Sequence, residues 1–166
     1  MTYFITIEEL KNGTFNNNLD DEYIKPALEE AQSIYLREII GDNLYNTIAD
    51  KIEHHTLADK YLELVDQYIK PYLIYKTQSI IVIPLNFKTR NAGVIQQYGQ
   101  DFQTTGVEDT AYMMNYYNGK AEFYANRIER YLEKNFGELP EYTETEDNIT
   151  NPTTSQTACG IFLGGR

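Results

Sequence analysis

The stretch QYIKPYLIYKTQSIIVIPLNFKTRNAGVIQQYGQ, residues 67–100, decides the fold of this chain. It contains no Asp or Glu, although the whole chain has a formal net charge of -11. Its middle, Tyr72–Ile83, is the most apolar run in the sequence and continues a helical spacing of apolar residues, which predicts a core helix. The polar end, which contains Lys88 and Arg90, is predicted to leave the core and contact a neighbour.

Three features of this stretch leave alternatives open. Pro71 predicts either a kink in one helix or the first turn of a new one. Ile80–Ile83 taken alone is consistent with a buried strand, but its length and the preceding periodicity favour a helix that ends at Pro84. Residues 87–106 have no helical period, which predicts either a long loop or a β-hairpin excursion.

Amphipathic helices are predicted before this stretch. Thr6 and Glu9 match a capping box, and a later helix is expected to end at Gly41. Asp42 is expected to cap the following helix, and Thr56 to begin the next one. Apolar spacings of three and four predict the core face of the helix before Gly41, which consists of Ile24, Leu28, Ala31, Tyr35 and Ile39.

The longest helix is predicted after the polar segment. A second capping box, Thr105–Glu108, precedes it, and Gly137 and Pro140 follow it. Its apolar stripe comprises Tyr112, Tyr116, Phe123, Tyr124, Ile128, Tyr131 and Leu132. The chain has 15 Tyr, and tyrosine suits both core packing and an inter-subunit surface. The predicted fold is therefore all-α, with a small helical bundle over residues 1–140.

Residues 141–166 are predicted to form a flexible C-terminal arm. Residues 141–157 are mostly Thr, Asn, Glu and Ser, with almost no apolar content. The arm then becomes apolar, and an exposed apolar tip on a polar tether is expected to dock on another surface. The predicted docking residues are Cys159, Gly160, Ile161, Phe162, Leu163 and Gly164.

Composition and motifs limit the possible functions. An excess of acidic residues argues against binding nucleic acid or an anionic membrane by charge. No signal-peptide pattern is present, and the apolar stretch is too short and too polar to span a bilayer. These features predict a soluble protein that is made inside the cell.

No catalytic residue, cofactor site or metal site is predicted. The sequence contains no Gly-rich phosphate loop, nucleophile elbow or zinc-binding His motif. His54 and His55 are adjacent, so they point in different directions and make a poor metal pair. Cys159 has no histidine near it in the sequence, which argues against a catalytic thiol.

The order of several short motifs resembles the head-to-tail adaptor proteins of tailed bacteriophages, in the version found in crAss-like phages. The resemblance covers most of residues 4–140 together with the apolar tip, Cys159–Gly164. The motifs that resemble this family are Ile24–Gln32, Leu36–Tyr45, Tyr68–Tyr72, Asn91–Val94 and Lys120–Arg127.

The resemblance implies a structural protein without catalysis or cofactor. It implies a subunit of a homo-oligomeric ring, a dodecamer, that joins the portal protein to the tail in the virion neck. Genomic DNA would pass through the ring without sequence-specific binding, and adjacent neck or tail rings would be further partners. The resemblance places Asn91–Val94 in an excursion loop and Cys159–Gly164 in a docking arm. This chain has Ala92 where the family has a lysine, so no charge is implied at that loop tip.

Two hypotheses concern charge. One is that excess acid lines the channel, so that DNA slides without sticking. The other is that the acid-free stretch contacts an acidic surface of a neighbour, through the predicted contact residues Lys88, Arg90, Asn91, Ala92, Gly93 and Val94.

Two alternative functions remain open. One is another neck component, such as a stopper or tail terminator, and the other is a protein-binding module that acts through its Tyr-rich helical face.

Overall fold

The computed structural model of the chain describes residues 2–13, 19–90, 93–96 and 107–142. These residues form a small all-α bundle from which one short β-hairpin extends, as predicted. The elements in chain order are α1 (Ile7–Gly13), α2 (Asp21–Glu30), α3 (Arg37–Ile40), α4 (Asp42–Glu53), α5 (Asp59–Leu64), α6 (Lys70–Asn86), β1 (Phe87–Arg90), β2 (Gly93–Gln96) and α7 (Val107–Lys134).

Helix α6 lies at the centre of the bundle. It packs against α7 along its length and against α2 on another side, and Leu73 and Ile81 are buried in the core. Ile80–Ile83 is helical, which confirms the favoured prediction over a strand. The prediction that Pro84 ends the helix was wrong, because α6 continues to Asn86. Pro84 lies in the last turn, where its missing N–H removes only one intrahelical hydrogen bond.

In the described part of the chain, two wide π-helical turns interrupt the α-helical path. The first, Ala31–Leu36, joins α2 to α3, and the second, Val65–Ile69, joins α5 to α6. The second turn is followed by Lys70 and then Pro71, so Pro71 lies in the first turn of α6, as one of the two alternatives stated, and the chain stays helical across the wide turn. A π turn holds more residues than an α turn, so the first one shifts the phase of the core face.

That phase shift corrects the predicted core of the helix before Gly41. Ile24, Leu28 and Ala31 are buried as predicted, but beyond the wide turn Tyr35 and Ile39 are only half-buried. Their places in the core are taken by Leu36 and Ile40, each one residue later. An uninterrupted period of 3.6 residues could not predict this change.

The predicted helix ends are partly confirmed. The capping box forms, since the Thr6 N–H donates to Glu9 Oε2 (2.9 Å) and the Glu9 N–H donates to Thr6 Oγ1 (3.1 Å). Gly41 ends α3 with a φ of 77°, which favours glycine. Asp42 begins α4 without making a side-chain cap, and its carboxylate pairs with Arg37 instead.

The prediction that a helix begins at Thr56 was wrong, since α5 begins three residues later, at Asp59. Thr56 instead follows α4 closely, because its N–H donates to the Lys51 carbonyl (2.8 Å). The second predicted capping box includes Thr105, which lies outside the described residues.

The N-terminal segment is held on the bundle by Gln32. This side chain is fully buried and lies in the first π turn. Its Oε1 accepts the N–H of Phe4 (2.9 Å), and its Nε2 donates to the carbonyl of Thr2 (2.8 Å) and to the hydroxyl of Tyr45 (3.0 Å). A single polar side chain thus joins the segment before α1 to α4.

After α7, Leu139 is buried and a 3-10 turn, Pro140–Tyr142, follows. The Tyr61 hydroxyl donates to Glu141 Oε2 (2.7 Å), and burial together with this carboxylate raises the pKa of Tyr61 to about 12. The end of the described chain is therefore fixed against α5. Among the described helices, none is both long and apolar enough to cross a membrane.

Candidate functional site

Helix α7 presents three chemically different faces. The core face contains Ala121, Ile128 and Leu132, which are buried. The prediction of one apolar stripe along α7 was wrong, because Tyr112, Tyr116 and Phe123 are 71%, 49% and 58% exposed. These three rings lie on a different side of the helix from the core residues.

The exposed rings share their side of α7 with basic residues. Successive members of this set are separated by four, four, three, four, three and four positions, so they line one side of the helix. No acidic residue occupies any of these positions. We call this set the basic aromatic stripe, and it comprises Tyr112, Tyr116, Lys120, Phe123, Arg127, Arg130 and Lys134.

Cations lie over aromatic rings along the stripe. Lys120 Nζ is 4.4 Å from the ring centroid of Tyr116 and 5.0 Å from that of Tyr75 on α6. The Arg127 guanidinium carbon is 5.2 Å from the ring centroid of Tyr68 and 5.7 Å from that of Phe123. Such contacts contribute about 0.5–1 kcal/mol each at exposed sites. They hold the long basic side chains in place, which reduces the entropy lost when a partner binds.

A recess of about 270 Å³ lies at the basic end of the stripe, between α7 and the chain of Lys60–Tyr68. Among the described residues, one carboxylate, that of Glu63, lines it. The hydroxyl of Tyr131 lies 2.8 Å from Glu63 Oε2, and this hydrogen bond, together with the charges of Lys60 and Lys134, lowers the pKa of Glu63. Glu63 is therefore ionised at neutral pH.

Cations outnumber this carboxylate in the recess. Lys60 pairs with Glu63 (3.4 Å), but within the part of the chain that the structure describes no ion pair includes Arg127, Arg130 or Lys134. Among the described residues that line the recess, the positive charges therefore exceed the single negative charge of Glu63. The recess suits a carboxylate or another anion.

The third face of α7 is acidic. Glu122, Glu129 and Glu133 are exposed and follow one another at spacings of seven and four. Across the described ranges, none of the three forms an ion pair. Glu129 and Glu133 lie close to Tyr142, since burial first and then these two carboxylates raise the pKa of that tyrosine. We call these three glutamates the acidic stripe.

A second cavity, of about 420 Å³, lies between α2, α6 and α7. Its lining is largely apolar and includes Pro26, Ile80 and Ile83. Lys76 is at its edge, where Nζ lies 3.7 Å from the Tyr35 ring centroid and donates to Asn118 Oδ1 (3.2 Å). Burial lowers the pKa of Lys76. The cavity suits an apolar side chain.

The predicted partner-contact residues are only partly described. Residues 87–96 include a hairpin, as one of the two alternatives stated, in which Arg90 of β1 is opposite Gly93 of β2 and Thr89 is opposite Val94. Lys88 is also in β1, opposite Ile95. Asn91 and Ala92 lie outside the described residues, and so does the docking arm, Cys159–Gly164.

No described group of three or more His, Cys, Asp or Glu side chains could hold a metal ion. His54 ends α4 as predicted, with Nδ1 2.9 Å from the Asp50 carbonyl oxygen. That contact and the Asp50 carboxylate raise the pKa of His54. The position of His54 at the C-terminal end of α4 accounts for this residue without a metal or a catalytic role.

Comparison with known proteins places the chain in a family. Residues 36–152 match a family of unknown function (DUF6712). Comparison with curated proteins and with solved structures gives no match. Since the family match covers well over half of the chain, the chain belongs to that family.

Proposed function

We propose that this chain is a structural subunit of a phage head-to-tail connector, a homo-oligomeric ring, a dodecamer, that joins the portal protein to the tail around the DNA channel. The proposal depends above all on one observation, the exposed basic aromatic stripe along α7. The order of short motifs that resembles head-to-tail adaptors gives the stripe its context. In this role the protein is made in the host bacterial cytoplasm and resides in the virion neck.

The stripe has the composition of a protein interface. Tyr, Phe and Arg are enriched at protein interfaces, and Tyr and Arg are frequent among the residues that dominate the binding energy. Exposure of Tyr112, Tyr116 and Phe123 on one side of one helix leaves a row of large rings in water, which a second protein would cover. Tyr68 of the second π turn and Tyr75 of α6 contact the cations Arg127 and Lys120, so the surface is organised before a partner binds.

A ring subunit also needs parts that reach the neighbouring rings. The β1–β2 hairpin leaves the end of α6 and suits contact with the portal or a tail ring. The polar tether with its apolar tip, Cys159–Gly164, suits a second contact, because attaching a weak contact to a ring raises its effective concentration. The chain's acidic excess is consistent with a channel wall that repels DNA.

Electron microscopy of the purified protein, alone and with the portal protein of the same phage, tests this function. We expect rings of uniform subunit number that bind one end of the portal. A monomer or dimer that ignores the portal would contradict the proposal and would favour a regulatory binding module. Rings that bind only another neck ring would favour a stopper or tail terminator.

Charge reversal in the hairpin tests the second contact. Lys88→Glu with Arg90→Glu should weaken binding to the portal or to a neighbouring subunit at low salt, because the acid-free stretch is proposed to face an acidic surface. Lys25→Glu, an exposed change on α2, is the control and should have little effect. Equal binding by both variants would exclude a role for the hairpin charges.

A further inference from the structure

We propose that the basic aromatic stripe of one subunit binds the acidic stripe of the next, so that α7 forms the head-to-tail seam of the ring. This inference rests on the proposed function, in that it assumes self-association. The two stripes lie on different faces of one helix, and both face away from the core. Each subunit therefore carries both halves of one interface.

The separation of charge on α7 is unfavourable for an isolated subunit. Opposite charges at spacings of three and four stabilise a single helix, whereas like charges at those spacings destabilise it by about 0.2–0.5 kcal/mol per pair. In α7 three pairs of like charge occupy such positions, Glu129 with Glu133, Arg127 with Arg130 and Arg130 with Lys134, against one pair of opposite charge, Arg130 with Glu133. A neighbour's stripe of opposite sign removes this repulsion for both rows.

The charges of both stripes also lie at the same level along the helix. The basic residues extend from Lys120 to Lys134 and the acidic ones from Glu122 to Glu133. At 1.5 Å per residue these rows are about 21 and 16 Å long and overlap almost completely. Two copies that pair these rows stand side by side without an axial shift. A head-to-tail interface forms a ring when its rotation closes and a helical filament when it does not, and pairing without an axial shift is compatible with closure.

A second copy fits the basic stripe better than nucleic acid does. A chain with a net charge of -11 repels the phosphate backbone as a whole. Every copy carries a row of glutamates of matching length that form no ion pair within the described residues. The exposed rings of the stripe would add apolar contact to the seam, since Tyr112 and Tyr116 precede its first charge, Lys120, and Phe123 lies among its charges.

Charge exchange at four neighbouring positions tests the seam. One variant carries Arg130→Glu and Lys134→Glu, and a second carries Glu129→Arg and Glu133→Arg. A third carries all four changes, so its numbers of positive and negative charges equal those of the wild type. Glu8→Arg with Glu38→Arg, both exposed on other helices, controls for net charge. Circular dichroism checks that each variant is folded. Mass measurement in solution and electron microscopy then measure assembly of each variant, both without and with the portal protein.

We expect the wild type, the four-residue variant and the control to form rings. Each two-residue variant should self-associate at least about tenfold more weakly, because like charges then face each other. An equimolar mixture of the two two-residue variants should form rings again, since every seam in an alternating ring is complementary.

Several outcomes would overturn the seam: rings from either two-residue variant alone, a mixture that stays monomeric, or a mixture that stops at two subunits. A wild type that fails to self-associate alone and on the portal would do the same. Portal binding separates this from the connector role. If wild-type rings bind the portal but their assembly is insensitive to these changes, the seam is wrong and the proposed function stands. Rings that never bind the portal count against the proposed function.

Discussion

Replacement of Gln32 by leucine should lower the free energy of unfolding by about 2–4 kcal/mol, which is large for a single substitution. Leucine fills a similar volume but can neither accept the Phe4 N–H nor donate to Thr2 and Tyr45. The Phe4 N–H is buried, and a buried donor without a partner costs about 1–3 kcal/mol. Of the other two hydrogen bonds, the one to Thr2 is partly buried and the one to Tyr45 is buried, and together they contribute about 1 kcal/mol or slightly more.

Urea denaturation followed by circular dichroism measures this effect. Thr77→Val is the matched control, because Thr77 is fully buried in α6 and its hydroxyl has no hydrogen-bond partner among the described residues. That change should be neutral or stabilising by up to about 1 kcal/mol. Amide hydrogen exchange should show that the Gln32 variant loses protection first at Phe4.

The comparison has a clear refuting result. A loss below about 1 kcal/mol for Gln32→Leu, or an equal loss for Thr77→Val, would show that hydrogen bonding by Gln32 does not hold the N-terminal segment.

Other substitutions test the backbone conformation at two glycines and the pKa of the Glu63 carboxylate. Gly119→Ala should stabilise the protein by about 0.5–1 kcal/mol, because a methyl group at this helical position meets no atom within 4 Å. Gly41→Ala should destabilise it, because φ there is 77°; thermal unfolding measures both, and the same sign for both would contradict this reasoning. Tyr131→Phe should raise the pKa of Glu63, because the carboxylate then loses the hydrogen bond that the Tyr131 hydroxyl donates to it. NMR titration measures this pKa. Since the folded-state pKa of Glu63 is lowered, its contribution to stability is present above the unfolded pKa and is lost as pH falls through the folded pKa. The stability difference between Tyr131→Phe and the wild type should therefore shrink under acid conditions, and a constant difference would argue against this coupling.

Much of the fold could be predicted because its central signals are local. The run Tyr72–Ile83 continues a helical period, and the Thr6–Glu9 capping box depends only on residues three apart. The core positions beyond the first π turn could not be predicted. The wide turn packs against α6, which is distant in sequence, and it moves the core face from Tyr35 to Leu36.

The candidate site was missed for a different reason. Tyr and Phe count as apolar in a periodicity, so the exposed rings Tyr116 and Phe123 were grouped with the buried Ile128. Only the path of α6 decides which side of α7 is covered. One signal was nevertheless present in the sequence, since the regular spacing from Tyr112 to Lys134 includes basic residues and no acid. Separate treatment of rings, bases and acids on α7 would have indicated three faces.

The π turn at Val65–Ile69 has a consequence for insertions and deletions. Each residue of an α-helix accounts for about 100° of rotation, so removal of one residue from this turn would restore the regular period and rotate α5 against α6. Leu64 and Leu73 could then no longer face the same core. Relatives of this chain that lack the extra residue would need a compensating change nearby, and a one-residue gap at this point in an alignment would mark a differently wound bundle.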